Sequence, residues 1–227
     1  MSAPLPTIPY SAPRVPESEQ SARGQAFFDA MDSRRSVREF SDRDVPRELI
    51  ETAIRTASTA PSGAHKQPWT FVAVSDREVQ SQIRAAAEAE ERAFYDGRAS
   101  DEWLEALAPI GTDWEKPFLE TAPWLVVLFA QRYAFRPDGS REKHYYVPES
   151  CGIAAGLFIA SLHQMGLATL THTPSPMGFL RDVLGRPTNE AAMILFPVGY
   201  PADEARVPDL HRKPLADVSV WITDDQG

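Results

Sequence analysis

The sequence predicts a mixed fold of helices and strands, of the α/β or α+β class. Runs of aromatic, β-branched and other apolar residues at 69–74, 124–129 and 192–198 are typical of strands. Apolar residues at helical spacing separate these runs, as at Leu49, Ala53 and Ala57. This alternation argues against an all-helical fold. With 227 residues, 43% of them hydrophobic, the chain can build one sizeable core.

The part of the chain before the first strand predicts an arm, two helices and a loop. Five prolines within residues 1–17 rule out a regular helix there and favour an extended arm. A helix is expected from Ser18 to Met31, and a second one starts near Pro46, since proline is common in the first helical turn. Residues 60–68 form a loop by their proline and glycine content.

The rest of the chain alternates helices with short strands. A long helix is expected from Asp76 to about Tyr95, and a polar-rich segment follows it, so that a lid is predicted at about 88–118. The most apolar helix, Ser150–Met165, is too short to span a bilayer. Its Gly152 and Gly156 would let another helix approach closely, as at a subunit interface. A strand at 168–171, a helix at 179–184 and an extended tail at 207–222 complete the prediction.

Composition argues against several classes of function. The formal net charge of -9 and pI near 5.1 disfavour nucleic acid and anionic membranes as partners. A single cysteine, Cys151, excludes an internal disulfide and a cysteine-based metal cage. No two histidines stand at the i, i+4 spacing of a helical metal pair, so no metal site is expected. The polar N-terminus does not read as a secretory signal, which favours a cytoplasmic, reducing location.

Three arginines fall within the five residues Arg34-Arg35-Ser36-Val37-Arg38 of this acidic chain. In an extended segment, Arg34, Ser36 and Arg38 would share one side and offer forked donors for a phosphate or a carboxylated ring. From these residues alone, a solvated basic turn is the alternative. The chain has no dinucleotide fingerprint, P-loop or nucleophile elbow. Its candidate sites are scattered polar loops, a pattern that suits a large planar cofactor held at several points.

Three stretches, in this order, resemble motifs of the nitroreductase superfamily of FMN enzymes. They are the arginine stretch, the loop Ala60–Trp69, and the turn Pro197–Pro201 with His211-Arg212-Lys213-Pro214 after it. Glu91 with Tyr95, then Lys116, and the Ser-Gly-Ala-His form of the loop are similar to the iodotyrosine deiodinase family within it. The resemblance, from about Arg34 to Leu215, implies an α+β fold. It implies a central mixed or antiparallel sheet flanked by helices, in an intertwined homodimer.

FMN is the cofactor that the resemblance implies, and it assigns residues to both ends of that molecule. The phosphate would meet three arginines and a serine: Arg34, Arg35, Arg212 and Ser36. Arg38 would lie under the flavin ring near its carbonyl and N1 edge, where a cation stabilises the anionic reduced form. The remaining flavin contacts would come from Ser62 and from Thr171, His172 and Thr173, with the Thr173 hydroxyl reaching N5 and favouring one-electron steps.

A halotyrosine substrate also follows from the resemblance. The backbone N–H of Ala64 would receive the phenolate in a charge-assisted hydrogen bond. Glu91 would accept from the ammonium, Lys116 would donate to the carboxylate, and Tyr95 can serve either group. Glu91 and Tyr95 stand at i, i+4 and share a helix face. Without the resemblance, Lys116 would be interpreted as a surface lysine and Glu91 as part of a solvated helix end.

The function implied is FMN-dependent reductive dehalogenation of halotyrosines, iodotyrosine to tyrosine plus halide, with Thr173 and Arg38 as catalytic residues. NAD(P)H would be the ultimate reductant, directly or through a separate reductase. Two alternatives stay open: a nitro- or enone-reductase of the same superfamily, which needs no clasp for a zwitterion, and a flavin or halotyrosine binding protein without turnover. A single FMN-binding domain over 18–227 would follow the arm at 1–17. His172 departs from the commoner threonine-rich form of its segment.

Overall fold

The structure, a computed structural model, describes residues 6–223. The first part of the predicted arm, residues 1–5, and the last residues of the predicted domain, 224–227, lie outside them. The chain divides into two compact units between Arg34 and Arg35. In the first unit, residues 6–16 have no regular secondary structure and helix α1 spans Glu17–Ser33, which confirms the predicted helix. The division of the chain at residue 17 stays a prediction.

Four strands of the second unit form one antiparallel sheet. They are β1 (Trp69–Val74), β2 (Trp124–Gln131), β5 (Ala168–Thr169) and β6 (Glu190–Gly199), in the order β1-β2-β6-β5. The register places Phe71 opposite Leu128 and Val126 opposite Phe196. A single parallel bridge joins Ser36 to Thr169 beside β5, so the sheet edge is mixed there. The strands predicted at 69–74, 124–129 and 192–198 are thereby confirmed.

Two apolar cores cover the two faces of the sheet, which explains why β2 is apolar without alternation. Val126 and Leu128 lie in one core, whereas Leu125 and Val127 lie in the other, and all four are fully buried. Helices α2 (Arg47–Ala57) and α6 (Val147–Gln164) cover the first face. The second face is covered by α3 (Arg77–Ala93), α5 (Phe118–Thr121) and α7 (Gly178–Val183).

Two short elements differ from the sequence prediction. Strands β3 (Tyr133–Phe135) and β4 (Arg141–Lys143) pair as a separate antiparallel hairpin that was not predicted. Three-residue strands with charged members carry too little alternation to be recognised. The tail at 207–222, predicted as extended, contains a single helical turn, α8 (Leu215–Val218), after Pro214. The lid segment contains α4 (Asp101–Leu107).

The described residues also bear on membranes and metals. None of the helices within 6–223 has the length and hydropathy needed to cross a bilayer. The same residues contain no cluster of three or more His, Cys, Asp or Glu side chains placed to hold a metal ion.

Candidate active site

The arginine stretch runs along the β5 edge of the sheet. Ser36 pairs with Thr169 through the Val37 N–H, which donates to the Thr169 carbonyl over 3.2 Å. Phe40 forms an antiparallel bridge with Pro201. The first and third predicted motifs, distant in sequence, are therefore neighbours in the second unit. Backbone pairing joins them at Phe40 and Pro201 and at Ser41, whose N–H donates to the Tyr200 carbonyl over 2.9 Å.

Two of the predicted phosphate ligands, Arg35 and Arg212, are connected through the tail of the chain. The Arg35 guanidinium donates to the Pro208 carbonyl, which fastens the tail that carries the exposed Arg212. Arg34 belongs to the first unit, where its N–H donates to the Met31 carbonyl at the end of α1. Ser36 is exposed. The roles of these four residues stay predictions.

Arg38 is half-buried and its Nε has no hydrogen-bond partner within the described part of the chain. Burial lowers the pKa of the guanidinium, and the Tyr95 hydroxyl partly opposes that shift. A buried donor without an acceptor costs about 1–3 kcal/mol. Such a donor is expected where a polar ligand supplies the missing acceptor.

His172 alternates with its neighbours: its side chain is 6% exposed, while Thr171 and Thr173 are exposed. Its backbone exchanges two hydrogen bonds of 2.9 Å with Leu195 of β6. The imidazole packs edge-on against Phe118 at 5.6 Å, and its Nε2 has no partner among residues 6–223. The three residues predicted to line the flavin therefore do not share a face. The two threonines face outward and His172 lies behind them.

Burial lowers the pKa of His172 to about 3, and the positive charges of Lys116 and Arg38 add to that shift. The imidazole is consequently neutral near pH 7. Burial also lowers the pKa values of Lys116 and Arg38. His172, Arg38 and Lys116 are thus three polar side chains whose charged forms burial disfavours.

The loop at 60–68 has unusual backbone geometry. Ala64, His65 and Gln67 have φ values of 49°, 53° and 47°, in the left-handed region that residues with a Cβ rarely adopt. Each such residue costs roughly 1–2 kcal/mol, and strain of this kind concentrates at functional sites. Ser62 caps the loop, since its carbonyl accepts from the His65 N–H over 3.0 Å and its hydroxyl accepts from the Gln67 N–H over 2.9 Å.

These internal bonds leave the N–H groups of Ser62 and Ala64 without an acceptor among the described residues. The loop is held in place by Gly63, whose N–H donates to the Ser150 hydroxyl over 3.3 Å. A Cβ at Gly63 would lie 2.4 Å from the Tyr145 carbonyl oxygen, so only glycine allows this approach. The loop therefore presents the exposed Ala64 N–H from a fixed frame.

The lid brings the predicted trio Glu91, Tyr95 and Lys116 together. Lys116 is 2% exposed, and its Nζ lies 3.4 Å from Glu91 Oε2 and donates to the Asp113 carbonyl. It also lies 5.9 Å from the centre of the Tyr95 ring. Tyr95 donates to the Thr112 carbonyl over 3.1 Å. The interpretation of Lys116 as a surface lysine is wrong, because the side chain is enclosed by the lid.

Charge in this trio is balanced internally. Burial lowers the pKa of Lys116, and the neighbouring Glu91 carboxylate opposes that shift. Burial raises the pKa of Tyr95, with Glu91 adding to it. The Lys116 ammonium and the partly buried Glu91 carboxylate thus lie side by side in the lid. A zwitterion could pair its carboxylate with the ammonium and its own ammonium with the Glu91 carboxylate.

Sequence reasoning missed two residues of this site, Arg84 and Glu88. Glu88 accepts from the backbone N–H of Lys116 over 2.8 Å and from Arg84 Nε over 2.7 Å. Their positions carry a usable signal, because 84, 88, 91 and 95 are spaced by four, three and four residues and lie on one helical face.

Comparison with known proteins agrees with this geometry. The model of the Nitroreductase family matches residues 31–200. The chain belongs to the nitroreductase family. The iodotyrosine deiodinase of Haliscomenobacter hydrossis is 56% identical over 213 residues, which cover 94% of this chain and 96% of that protein. Human iodotyrosine deiodinase 1 is 46% identical over 216 residues, or 95% of this chain and 75% of the relative.

A solved structure of iodotyrosine deiodinase bound to FMN and 3-iodo-L-tyrosine matches with a TM-score of 0.73 and 27% identity. The match covers 86% of this chain and all of that one, 100%. A BluB-like flavoprotein of Clostridium difficile, 22% identical with a TM-score of 0.65 over 86% of this chain and 98% of its own, shares the fold. The resemblance to the iodotyrosine deiodinase family and the predicted α+β nitroreductase fold are confirmed.

Proposed function

We propose that this nitroreductase-family protein is an FMN-dependent enzyme that reductively dehalogenates halotyrosines, converting iodotyrosine to tyrosine and iodide. The Glu91–Lys116 pair, 3.4 Å apart and enclosed by the lid beside Tyr95, carries this proposal. An amino acid needs an acceptor for its ammonium and a donor for its carboxylate, and the pair supplies one of each. A neutral nitroaromatic or enone would gain nothing from two buried charges.

The residues present fit FMN as the cofactor. Arg38 and His172 offer buried nitrogen atoms without partners among the described residues, as expected beside the polar edge of a flavin. Thr171 and Thr173 are exposed, and the Thr173 hydroxyl is proposed to reach N5. Ser62 would contact the ring from the neighbouring loop. Arg35 and Arg212, together with Ser36 and Arg34, are the proposed phosphate ligands.

The net reaction adds two electrons and one proton to the halotyrosine, breaks the carbon–halogen bond and forms a carbon–hydrogen bond as halide leaves. When bound, reduced FMN supplies the electrons. The Ala64 N–H, which lacks an acceptor among residues 6–223, would donate to the substrate phenolate and favour the ionised ring. Glu91, Tyr95 and Lys116 would hold the amino-acid end. Substrate fixed at both ends leaves its ring only one orientation against the cofactor site.

A homodimer, an NAD(P)H-derived electron supply, directly or through a separate reductase, and a cytoplasmic location are further parts of this proposal. Exposed Gly152, Ile153 and Gly156 on the apolar helix α6 support association through a second copy of the chain. Arg38 and Thr173 are the proposed catalytic residues, since they would touch the flavin.

Anaerobic turnover of 3,5-diiodotyrosine tests the function. The FMN-loaded protein is reduced with dithionite, diiodotyrosine is added, and flavin absorbance and iodide are both measured. Flavin reoxidation with one iodide released per flavin is the expected result. Reoxidation by a nitroaromatic but not by diiodotyrosine would establish the nitroreductase alternative. Tight binding of diiodotyrosine without reoxidation would establish a binding protein.

A further inference from the structure

One face of helix α3 and its continuation carries four polar side chains in a row: Arg84, Glu88, Glu91 and Tyr95. The helix continues past Ala93 into a wider turn, Phe94–Arg98, which contains Tyr95. The last two members of the row belong to the proposed substrate clasp. The first two contact no proposed ligand group, yet both are largely buried, with side chains 30% and 18% exposed.

Glu88 and Glu91 both contact Lys116, Glu88 at its backbone and Glu91 at its side chain. Its Oε1 accepts from the Lys116 N–H over 2.8 Å and from Arg84 Nε over 2.7 Å. The Lys116 Nζ lies 3.4 Å from Glu91 Oε2. Helix α3 therefore contacts Lys116 at two points, its backbone N–H through Glu88 and its ammonium through Glu91.

Arg84 connects the same helix to a residue after Pro117. Its Nη1 donates to Glu120 Oε2 over 2.6 Å, and Glu120 lies in helix α5, four residues beyond Lys116. The charge-assisted hydrogen bonds of Arg84 orient the Glu88 carboxylate and fix the start of α5 at the same time. They also lower the pKa of Glu120, although the Ser81 side chain contributes most to that shift.

We infer that Glu88, oriented by Arg84, is a positioning residue that sets where Lys116 meets the substrate carboxylate. Lys116 lies between α4 and α5, outside both helices, and Glu88 of α3 binds its backbone N–H. A displacement of its backbone would move the ammonium away from the carboxylate site, whereas the Ala64 N–H and the proposed flavin contacts belong to other segments of the chain. Glu88 thus acts on the recognition of one end of the substrate only.

This inference rests on the proposed role of Lys116, and the experiment separates the two. Dissociation constants are measured for 3-iodotyrosine and for 2-iodophenol, which lacks the amino-acid group, by flavin fluorescence of the FMN-loaded protein. Their ratio isolates the amino-acid end. Glu88→Gln and Glu88→Ala are compared with the wild type, and Glu78→Gln makes the same chemical change at an exposed position of the same helix.

Loss of a charged hydrogen bond predicts that Glu88→Ala lowers the preference for iodotyrosine over iodophenol by about tenfold and Glu88→Gln by about threefold. Glu78→Gln should leave the preference unchanged, and FMN affinity should stay within about twofold of the wild type in every variant. A merely structural glutamate would weaken FMN, iodophenol and iodotyrosine together, which would overturn the inference. Because Glu88→Gln preserves shape and one acceptor oxygen, it serves as the test if Glu88→Ala does not fold.

Lys116→Met provides the reference point. If it abolishes the preference while both Glu88 variants keep it, the positioning role is wrong and the proposed clasp stands. If Lys116→Met itself leaves the preference unchanged, the clasp is wrong and the inference falls with it.

Discussion

Replacing Lys116 by methionine removes the ammonium from the lid but keeps an unbranched apolar stem. The Nζ has three N–H donors. One donates to the Asp113 carbonyl and a second faces Glu91 Oε2 at 3.4 Å, which leaves one for a substrate carboxylate. The variant is therefore expected to weaken halotyrosine binding through the loss of a single charged hydrogen bond.

The magnitude follows from the burial of this group. Lys116 is 2% exposed, so water cannot replace the lost donor well. A hydrogen bond to a charged group contributes about 1.5–3 kcal/mol. At about 1.4 kcal/mol per factor of ten, the dissociation constant of iodotyrosine should rise by about tenfold to 150-fold. That of 2-iodophenol should change by less than about threefold, because it makes no contact with the ammonium.

Titration of the FMN-loaded variant with each ligand, followed by flavin fluorescence, measures both constants. Lys143→Met, at an exposed lysine of the β3–β4 hairpin, controls for the loss of a positive charge. Glu91→Gln should also weaken iodotyrosine binding selectively, since a neutral amide is a poorer acceptor for the ammonium, whereas Glu90→Gln next to it should not. An equal loss of affinity for both ligands in Lys116→Met would show that Lys116 supports the lid rather than the amino-acid end.

Two further outcomes are expected. Gly63→Ala places a Cβ 2.4 Å from the Tyr145 carbonyl oxygen, so it should cost about 1–3 kcal/mol of unfolding free energy and weaken iodotyrosine and iodophenol equally, because both use the Ala64 N–H; selective loss of one ligand would contradict this. The pKa of His172 is about 3 in the folded protein and 6.5 when the imidazole is exposed. Between these two pH values the unfolded chain therefore binds a proton that the folded protein does not. The contribution of His172 to stability is complete above pH 6.5 and is lost as the pH falls from 6.5 towards 3, by up to about 1.4 kcal/mol per unit. In urea unfolding at fixed FMN concentration, His172→Gln should flatten this slope while His211→Gln, at an exposed site, does not; parallel slopes for all three proteins would refute the buried neutral imidazole.

The burial of polar side chains in and near the lid could not be predicted from residue patterns. Lys116 carries no pattern that marks a buried lysine, and the polar-rich segment 97–116 predicted a lid without saying which of its side chains the lid buries. The tertiary structure buries Lys116 because two separate segments supply its partners: Glu88 accepts from its backbone N–H, and Glu91 and the Asp113 carbonyl face its ammonium. The same holds for His172, whose imidazole is buried against Phe118 of helix α5. Resemblance to a family pointed to both residues, but it did not say that both side chains are buried.

The sequence by itself determined the three long strands, the helices between them and the order of the motifs. Those properties depend on local periodicity and on apolar runs, which neighbouring residues carry within a few positions. Only the tertiary structure decided that Ser36 pairs with Thr169, that His172 turns away from the two threonines, and that Glu88 holds the backbone of Lys116. Each is a contact between residues distant along the chain or a choice of face, and both are set by how the elements pack.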